Sequence, residues 1–553
     1  MDEGPVTDTP AAAATAASRR GRSWKLAPAV ASKTQGLVVS GFGSLGTGRA
    51  LFIDLGAASG SLRLNSLLAV APVTAADGDR SQERAAAIAF SWTGLKRMGL
   101  ADTALASFAR PFREGMMQED RLRRLGDRRS GKWLETVVEE GARWSANTPL
   151  LETGEDGGAA EKQIPTPLTV HALLLLYAAD EDAANLWCRQ VDEALAPHGV
   201  AVVHHLPLVL DPNDIGVSSE HFGFADGLSQ PAPYDAAPDA DRRAVTIGGE
   251  PASQDPIHGV PLGEFLFGYA NGHQEEAPGP VVAGDDDPRP VEAGLMPHRL
   301  AEGYFDLGLN GSYLVVRQLK QDVAAFWNSM HENADRIREQ DPEHAEHVTA
   351  EWIAERVVGR NRKGHLLCTP PGSFNDADSG GVPDNQFRFS EGDPFGVGCP
   401  AGSHVRRANP RDALAPINVD RSGFLDPRKT KESSRRGMLK AANNHRILRR
   451  GRKYGPKIQD ERVDDGHARG LLFMCLNTDI ERQFEFVQQT WLLNSNFATL
   501  LDETDPLVGP AGRMTIKEEP LRRTVNVETF VKMAGGDYFF LPSMPALRYL
   551  AML

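Results

Sequence analysis

Residues 168–206, LTVHALLLLYAADEDAANLWCRQVDEALAPHGVAVVHHL, pack a strand, a helix and a second strand into one short span. Val170 to Ala179 is apolar apart from His171 and stops at Asp180-Glu181-Asp182, well short of the roughly 20 residues that a membrane helix needs. Leu168 to Ala178 therefore reads as a buried strand. Asp182 to Leu195 places its apolar residues at helical spacing and reads as an amphipathic helix, with Val200 to Leu206 as the next strand.

On the N-terminal side, Gln35 to Gly43 and Arg49 to Gly56 read as strands bounded by glycine turns, and 80–128 as helix in two pieces divided near Arg110-Pro111. On the C-terminal side, 232–262 and 272–296 are dense in Pro, Asp, Ala and Gly and read as surface loops. Beyond them, Leu262 to Tyr269 and Ser312 to Gln318 read as strands, and Gln321 to Gln340 and Thr349 to Val358 as helices. Loops are expected over 368–400 and 421–445, then a strand at Gly470 to Leu476, a helix at Ile480 to Leu493 and a strand at Tyr538 to Leu541. Strands and helices mix without strict alternation, so the expected class is α+β, with two halves joined within 207–260 and no internal sequence repeat.

Residues 1–33, rich in Ala, Ser, Thr and Pro, are expected to be a disordered tail. Arg19-Arg20 could open an export signal, but Trp24-Lys25-Leu26-Ala27-Pro28 breaks the apolar stretch that must follow. Cys188, Cys368, Cys399 and Cys475 form no CxxC pair, which suits neither a zinc site nor a disulfide framework and fits a reducing compartment. A cytoplasmic protein with no membrane partner is expected. The net charge of −14 argues against nucleic-acid binding. Residues 427–457 nevertheless carry twelve Lys/Arg against one acid, Glu432, as a solvated basic loop, a patch steering anionic small molecules or cofactor carboxylates, or a nucleic-acid contact.

Three clusters could carry chemistry. His221 to Pro231, HFGFADGLSQP, sets Asp226 between Ala225 and Gly227. The carboxylate could bond backbone amides in a tight turn, or serve as an acid/base group close to a flat ligand. In Gly398 to Arg411, GCPAGSHVRRANPR, one of the chain's fifteen histidines follows small residues that leave room for something large. Arg406, Arg407 and Arg411 could then hold anionic groups bidentately. His445 to Pro456, HRILRRGRKYGP, is the third cluster.

In order and wording these clusters resemble the dye-decolorising peroxidases, in particular a longer bacterial-type member. GFADGLSQP is similar to that family's GxxDG signature, CPAGSHVRRANPR to its haem-ligand segment and ILRRGRKYG to its distal-arginine segment. QGLVVSGFG, GEFLFGYANG, GSYLVVRQL, VVGR, RGLLFMCLNTDIERQFEFVQQTW and GGDYFFLP extend the likeness from about residue 35 to the C-terminus. The resemblance implies two ferredoxin-like halves, each an antiparallel sheet with helices, at 34–220 and 221–553. The second would hold most of one haem b per chain. It makes His404 the proximal iron ligand, Asp226 the distal acid/base and Arg449 the distal arginine. Leu471 and Phe473 become apolar groups over the distal face, and Arg360 a propionate contact.

The implied activity is a haem-dependent peroxidase that reduces hydrogen peroxide while oxidising dyes or phenolics in one-electron steps. The alternative is a haem carrier or sensor with little turnover. Asp479 and Glu485 are candidates to orient the proximal histidine, and Tyr454 and Trp491 to relay electrons at the surface. Homo-oligomerisation is left open. Lys453 departs from the proline that the family often carries there, and the 45 residues from His404 to Arg449 exceed the spacing of compact members.

Overall fold

The computed structural model describes residues 24–56, 61–78, 83–134, 138, 141–149, 162–212, 216–236, 243–284, 287–367, 385–416, 418–419, 425–426, 430–518 and 521–553. The first half contributes β1 (Thr47–Asp54), α1 (Ser61–Val70), β2 (Arg84–Phe90), β3 (Ala172–Ala178), α2 (Glu181–Leu195) and β4 (Ala201–Val209). The second contributes β5 (Ser312–Gln321), α3 (Val323–Gln340), α4 (Ala350–Val358), α5 (His404–Ala408), α6 (Glu432–Asn443), β6 (Leu448–Arg449), β7 (Arg452–Tyr454), β8 (Gly470–Asn477) and β9 (Val531–Leu541). The class is α+β.

All these strands pair antiparallel. The first half runs β2-β3-β1-β4 across its sheet; the second runs β9-β5-β8, with β6 and β7 sharing the far edge of β8. Two short seams join them: β4 to β7 through Val209–Lys453 and Leu208–Tyr454, and β9 to β2 through Phe90–Phe540. The sheet therefore closes on itself as a barrel.

The apolar run of β3 is explained by this closure. Leu173, Leu175 and Tyr177 meet Phe52, Leu314, Val316, Leu472, Met474 and Phe539 in the barrel interior. Leu174 and Leu176, pointing the other way, pack outside with Trp187, Val191 and Leu195 of α2. A strand covered on both faces loses the usual apolar/polar alternation. Helix α2 starts where Asp180 accepts from Ala183 N (2.8 Å), which satisfies an otherwise orphaned amide. In β9 the register slips by one residue opposite Gln318–Leu319, and Gly535 backs onto the buried Trp144. A Cβ there would lie 2.4 Å from the indole.

Several local expectations are corrected. Residues 24–33 of the expected tail carry regular structure instead: Trp24–Leu26 pairs with Val245–Ile247, and Pro28–Ala31 is a helical turn. Residues 1–23 of the expected tail lie outside the described residues. Gln35 to Gly43 is not a strand but a 3-10 turn at Gly36–Val38. Gln35 instead uses its side chain as a strand would, accepting from Ile88 N (3.0 Å) and donating to Ile88 O (2.9 Å). Residues 84–90, RAAAIAF, form β2 rather than helix, because burial in the sheet overrides alanine's helical preference. Leu262 to Tyr269 contains a 3-10 turn, not a strand, with Glu264 buried against Arg482 (2.6 Å). Part of the expected loop at 421–445 is helix α6, and the late helix at 480–493 is wound as π-helix over Glu481–Glu485 and Val487–Leu492.

Candidate active site

Beyond β4, the turn carrying Asp226 is tied down from several sides. Asp226 N donates to Ser218 O (2.8 Å) and Ala225 N to Arg362 O (3.0 Å). Glu220 Oε2 accepts from Phe222 N (2.8 Å) and Gln321 Nε2 (2.6 Å), and Oε1 from Phe224 N (2.9 Å). Burial drives the Glu220 carboxyl up to about 7 against these three donors, and the charge of Asp226 adds to the rise. Gly227, at φ 79°, lets the chain turn sharply so that its N–H reaches Asp226 Oδ1 (2.6 Å).

Arg449, on β6, donates Nη1 to that same Oδ1 (3.0 Å). The two segments are latched together by Gln230, which accepts from Arg449 N (3.2 Å) and donates to Arg449 O (3.1 Å). Strand alternation sends the neighbouring Arg450 the other way, onto the carbonyls of Leu37 (2.7 Å) and Val38 (2.5 Å). Among the described residues, Asp226 Oδ2 and the Nη2 of Arg449 meet no protein partner.

His404 opens α5, whose preceding Ser403 bonds the Arg356 carbonyl and so docks it on α4. Its Nδ1 lies 3.1 and 3.0 Å from the two oxygens of Asp505. Asp505 Oδ1 also accepts from Leu507 N and Val508 N, both at 3.0 Å. Burial opposes the charged imidazole, but Asp505 outweighs it and the His404 pKa is raised; burial likewise opposes the Asp505 charge, yet His404 holds that carboxyl below its usual range. With Nδ1 committed, Nε2 is the nitrogen left to bind a metal.

Asp505, not Asp479 or Glu485, is thus the orienting carboxylate. Asp479 accepts from Arg482 N (2.9 Å), and Glu485 is buried against Arg121 (2.6 Å) and the Tyr538 hydroxyl (2.6 Å). Arg406, Arg407 and Arg411 also differ from expectation. They spend their guanidinium groups mainly on backbone carbonyls: Arg406 on Asp393 and Cys399, Arg407 on Glu503 and Asn494, Arg411 on Asn385 and Phe387. Arg360 donates to Gly364 O (2.7 Å) and Asn385 Oδ1 (2.9 Å).

Leu471 and Phe473 are half-buried on one face of β8, while Leu472 and Met474 fill the barrel from the other. Tyr454 and Trp491 are 3% and 5% exposed, so neither is a surface relay. Tyr454 faces the barrel interior, and Trp491 packs edge-on to His445 and Phe486. The 427–457 stretch falls partly on residues 427–429, outside the described chain.

His404, Asp226 and Arg449 have 30%, 34% and 33% of their side-chain surface open. The charges of Arg449 and Asp226 both act on the His404 imidazole, so the three side chains lie within electrostatic reach of one another. A histidine with a free Nε2, an acid–arginine pair and two apolar side chains are a donor set suited to an iron porphyrin. Sequence reasoning missed Asp505, Gln230 and Glu220. Asp505-Pro506 carries a turn signature, but no spacing rule links it to His404, 101 residues away.

No protein-family model matches the chain. It is 30% identical over 403 residues to the multifunctional dye peroxidase DyP2 of Amycolatopsis sp., covering 69% of this chain and 71% of that protein. It is 26% identical over 508 residues to the dye-decolorizing peroxidase msp1 of Mycetinis scorodonius, covering 88% and 78%. Among solved structures, a DyP-type peroxidase of Anabaena sp. superposes with a TM-score of 0.62 at 22% identity, covering 95% of each chain. A dye-decolorizing peroxidase in complex with 2,6-dimethoxyphenol gives 0.63 at 23%, covering 94% and 99%.

Proposed function

The chain belongs to the dye-decolorising peroxidases, and from that premise we propose which of its residues do the work. It is a haem-dependent peroxidase that reduces hydrogen peroxide while oxidising dye or phenolic donors. The observation that supports the assignment of residues is that two pairs, His404–Asp505 and Asp226–Arg449, are each built with a side chain about a third open and lie within electrostatic reach of one another.

His404 would hold the iron through Nε2, with Asp505 fixing ring orientation and basicity through Nδ1. Bound haem supplies the redox equivalents that the side chains lack. Asp226 takes the proton from one peroxide oxygen and delivers it to the other. Its Oδ2 does this, because Oδ1 is occupied by Gly227 N and Arg449. Arg449 keeps Asp226 oriented and offers its remaining N–H groups to the charge that develops on the departing oxygen. Leu471 and Phe473 keep water sparse there, which strengthens both effects.

The finer reading is a longer bacterial-type enzyme with one haem b per chain, held mainly by 221–553. One His404 constellation per chain supports the count. The division into two ferredoxin-like halves at 34–220 and 221–553 is supported by strand order. With β6 and β7, which share one edge of β8, counted as a single strand, each half lays its fourth, first, third and second strands side by side, as β4-β1-β3-β2 and β9-β5-β8-β6/β7. Arg360, the propionate contact that the resemblance implies, already donates to Gly364 O and Asn385 Oδ1 and would reach a propionate only with the N–H capacity these leave. A cytoplasmic location is supported by the free thiols of Cys188 and Cys475; no described helix is long and apolar enough to cross a membrane.

The test is the absorption spectrum of haem-loaded protein before and after one equivalent of peroxide, for the parent, His404→Ala and Asp226→Ala. The parent spectrum should shift, His404→Ala should lose haem, and Asp226→Ala should keep haem but react about 100-fold or more slowly. Haem bound without response to peroxide would mean a carrier or sensor.

A further inference from the structure

Arg446 is a buried cation with too few partners. It is 5% exposed and donates Nη2 to Ser229 O (3.0 Å). No carboxylate of the described residues lies within ion-pair distance, and its other N–H groups meet no acceptor there. Other buried guanidinium groups differ from it: Arg407 reaches two backbone carbonyls and Arg450 and Arg452 three each, while the unpartnered N–H groups of Arg63 and Arg317 are sealed inside the protein. The Arg446 N–H groups that lack an acceptor are not sealed in this way, so they stay within reach of a ligand that could meet them.

Its position indicates what that is. Arg446 lies three residues before Arg449, and Ser229 three residues after Asp226. Ser229 Oγ in turn accepts from Asn409 (3.3 Å), which follows α5, the helix begun by His404. Arg446 thus stands where the distal turn meets the proximal helix, at the rim between the two faces of the site. Burial and the nearby charge of Arg449 push its pKa down to about 10, as for a cation still lacking its counter-ion. His258 close by is pushed down to about 3 by burial and by Arg411 and Arg446, so it adds no charge of its own.

We propose that Arg446 is the direct anchor for a haem propionate, binding its carboxylate through the N–H groups that Ser229 leaves free. This rests on the haem reading above. Arg360 and Arg411 then serve as scaffold, since both are spent on Asn385 and the carbonyls around it.

The test titrates apoprotein with haem and, separately, with haem dimethyl ester, whose propionates are capped. Parent, Arg446→Ala and Arg446→Lys are compared, with thermal unfolding of each apo form to verify folding. Arg446→Ala should weaken haem binding roughly 10- to 100-fold, the scale of a lost charge-assisted bond. It should leave dimethyl ester binding unchanged, and Arg446→Lys should recover part of the haem affinity. If Arg446→Ala or Arg446→Lys weakens both ligands alike, or neither, the anchor role is overturned while the haem reading stands. If the parent binds neither ligand, the haem reading itself fails and the anchor with it.

Discussion

Replacing Asp505 by asparagine separates the charge of the proximal carboxylate from its shape. Oδ1 holds Leu507 N and Val508 N at 3.0 Å each, so the amide keeps its oxygen there and presents its NH2 where Oδ2 now faces His404 Nδ1 at 3.0 Å. Donor then meets donor, and the charge that holds the imidazole is gone. A hydrogen bond to a charged group contributes roughly 1.5–3 kcal/mol, and loss of the partner behind a metal-binding histidine typically costs about 10- to 100-fold in affinity; the two scales agree. Haem titration of Asp505→Asn should therefore show weaker binding in that range. The iron reduction potential should rise, because the ring loses an anionic partner. Asp505→Ala would in addition free the Leu507 and Val508 amides and lower the melting temperature of the apoprotein, which asparagine should spare. Unchanged haem affinity together with an unchanged potential in Asp505→Asn would refute the role given to this carboxylate.

Three further outcomes follow from buried groups. Native Glu220 keeps its proton up to about 7, against 4.5 for an ordinary glutamate, so the folded state binds more protons in that window and stability falls as pH rises through it. Glu220→Gln should flatten that slope in melting temperature, and parallel profiles would sink the account. Arg121, 1% exposed, bridges Glu114 and Glu485, so Arg121→Met strands two buried carboxylates and should cost about 3–5 kcal/mol in urea unfolding. Adding Glu485→Gln should recover part of the loss, and no recovery would count against the bridge. Gly535→Ala drives a methyl to 2.4 Å from the Trp144 indole and should cost about 1–3 kcal/mol, whereas an unchanged unfolding midpoint would mean that the ring has room to move.

What could be read from the sequence, and what could not, divides along a physical line. Interactions within a few residues leave a pattern. The 168–206 strand–helix–strand unit follows from apolar run, acidic cap and helical spacing, and the Asp226 turn follows from its small neighbours. Competition between levels misleads, as in β2, where four alanines favour helix locally and the barrel makes them strand. Glycines around Gln35 suggested a strand whose work is done by one amide side chain. The same principle governs the site. His404 is conspicuous because room is cleared beside it locally, but its partner comes from a turn beyond the π-helix. Arg449 is latched by Gln230 from a segment 219 residues earlier in the chain. Asp479 and Glu485 were reasonable candidates for a carboxylate near the late helix, yet both are consumed by arginines. A buried arginine takes the nearest oxygen, backbone or side chain, before any ligand arrives. A clustered run such as Arg406, Arg407 and Arg411 therefore signals scaffold as readily as binding. The more telling sign of a binding cation is one that the fold leaves unsatisfied, and in the rim of this site that residue is Arg446.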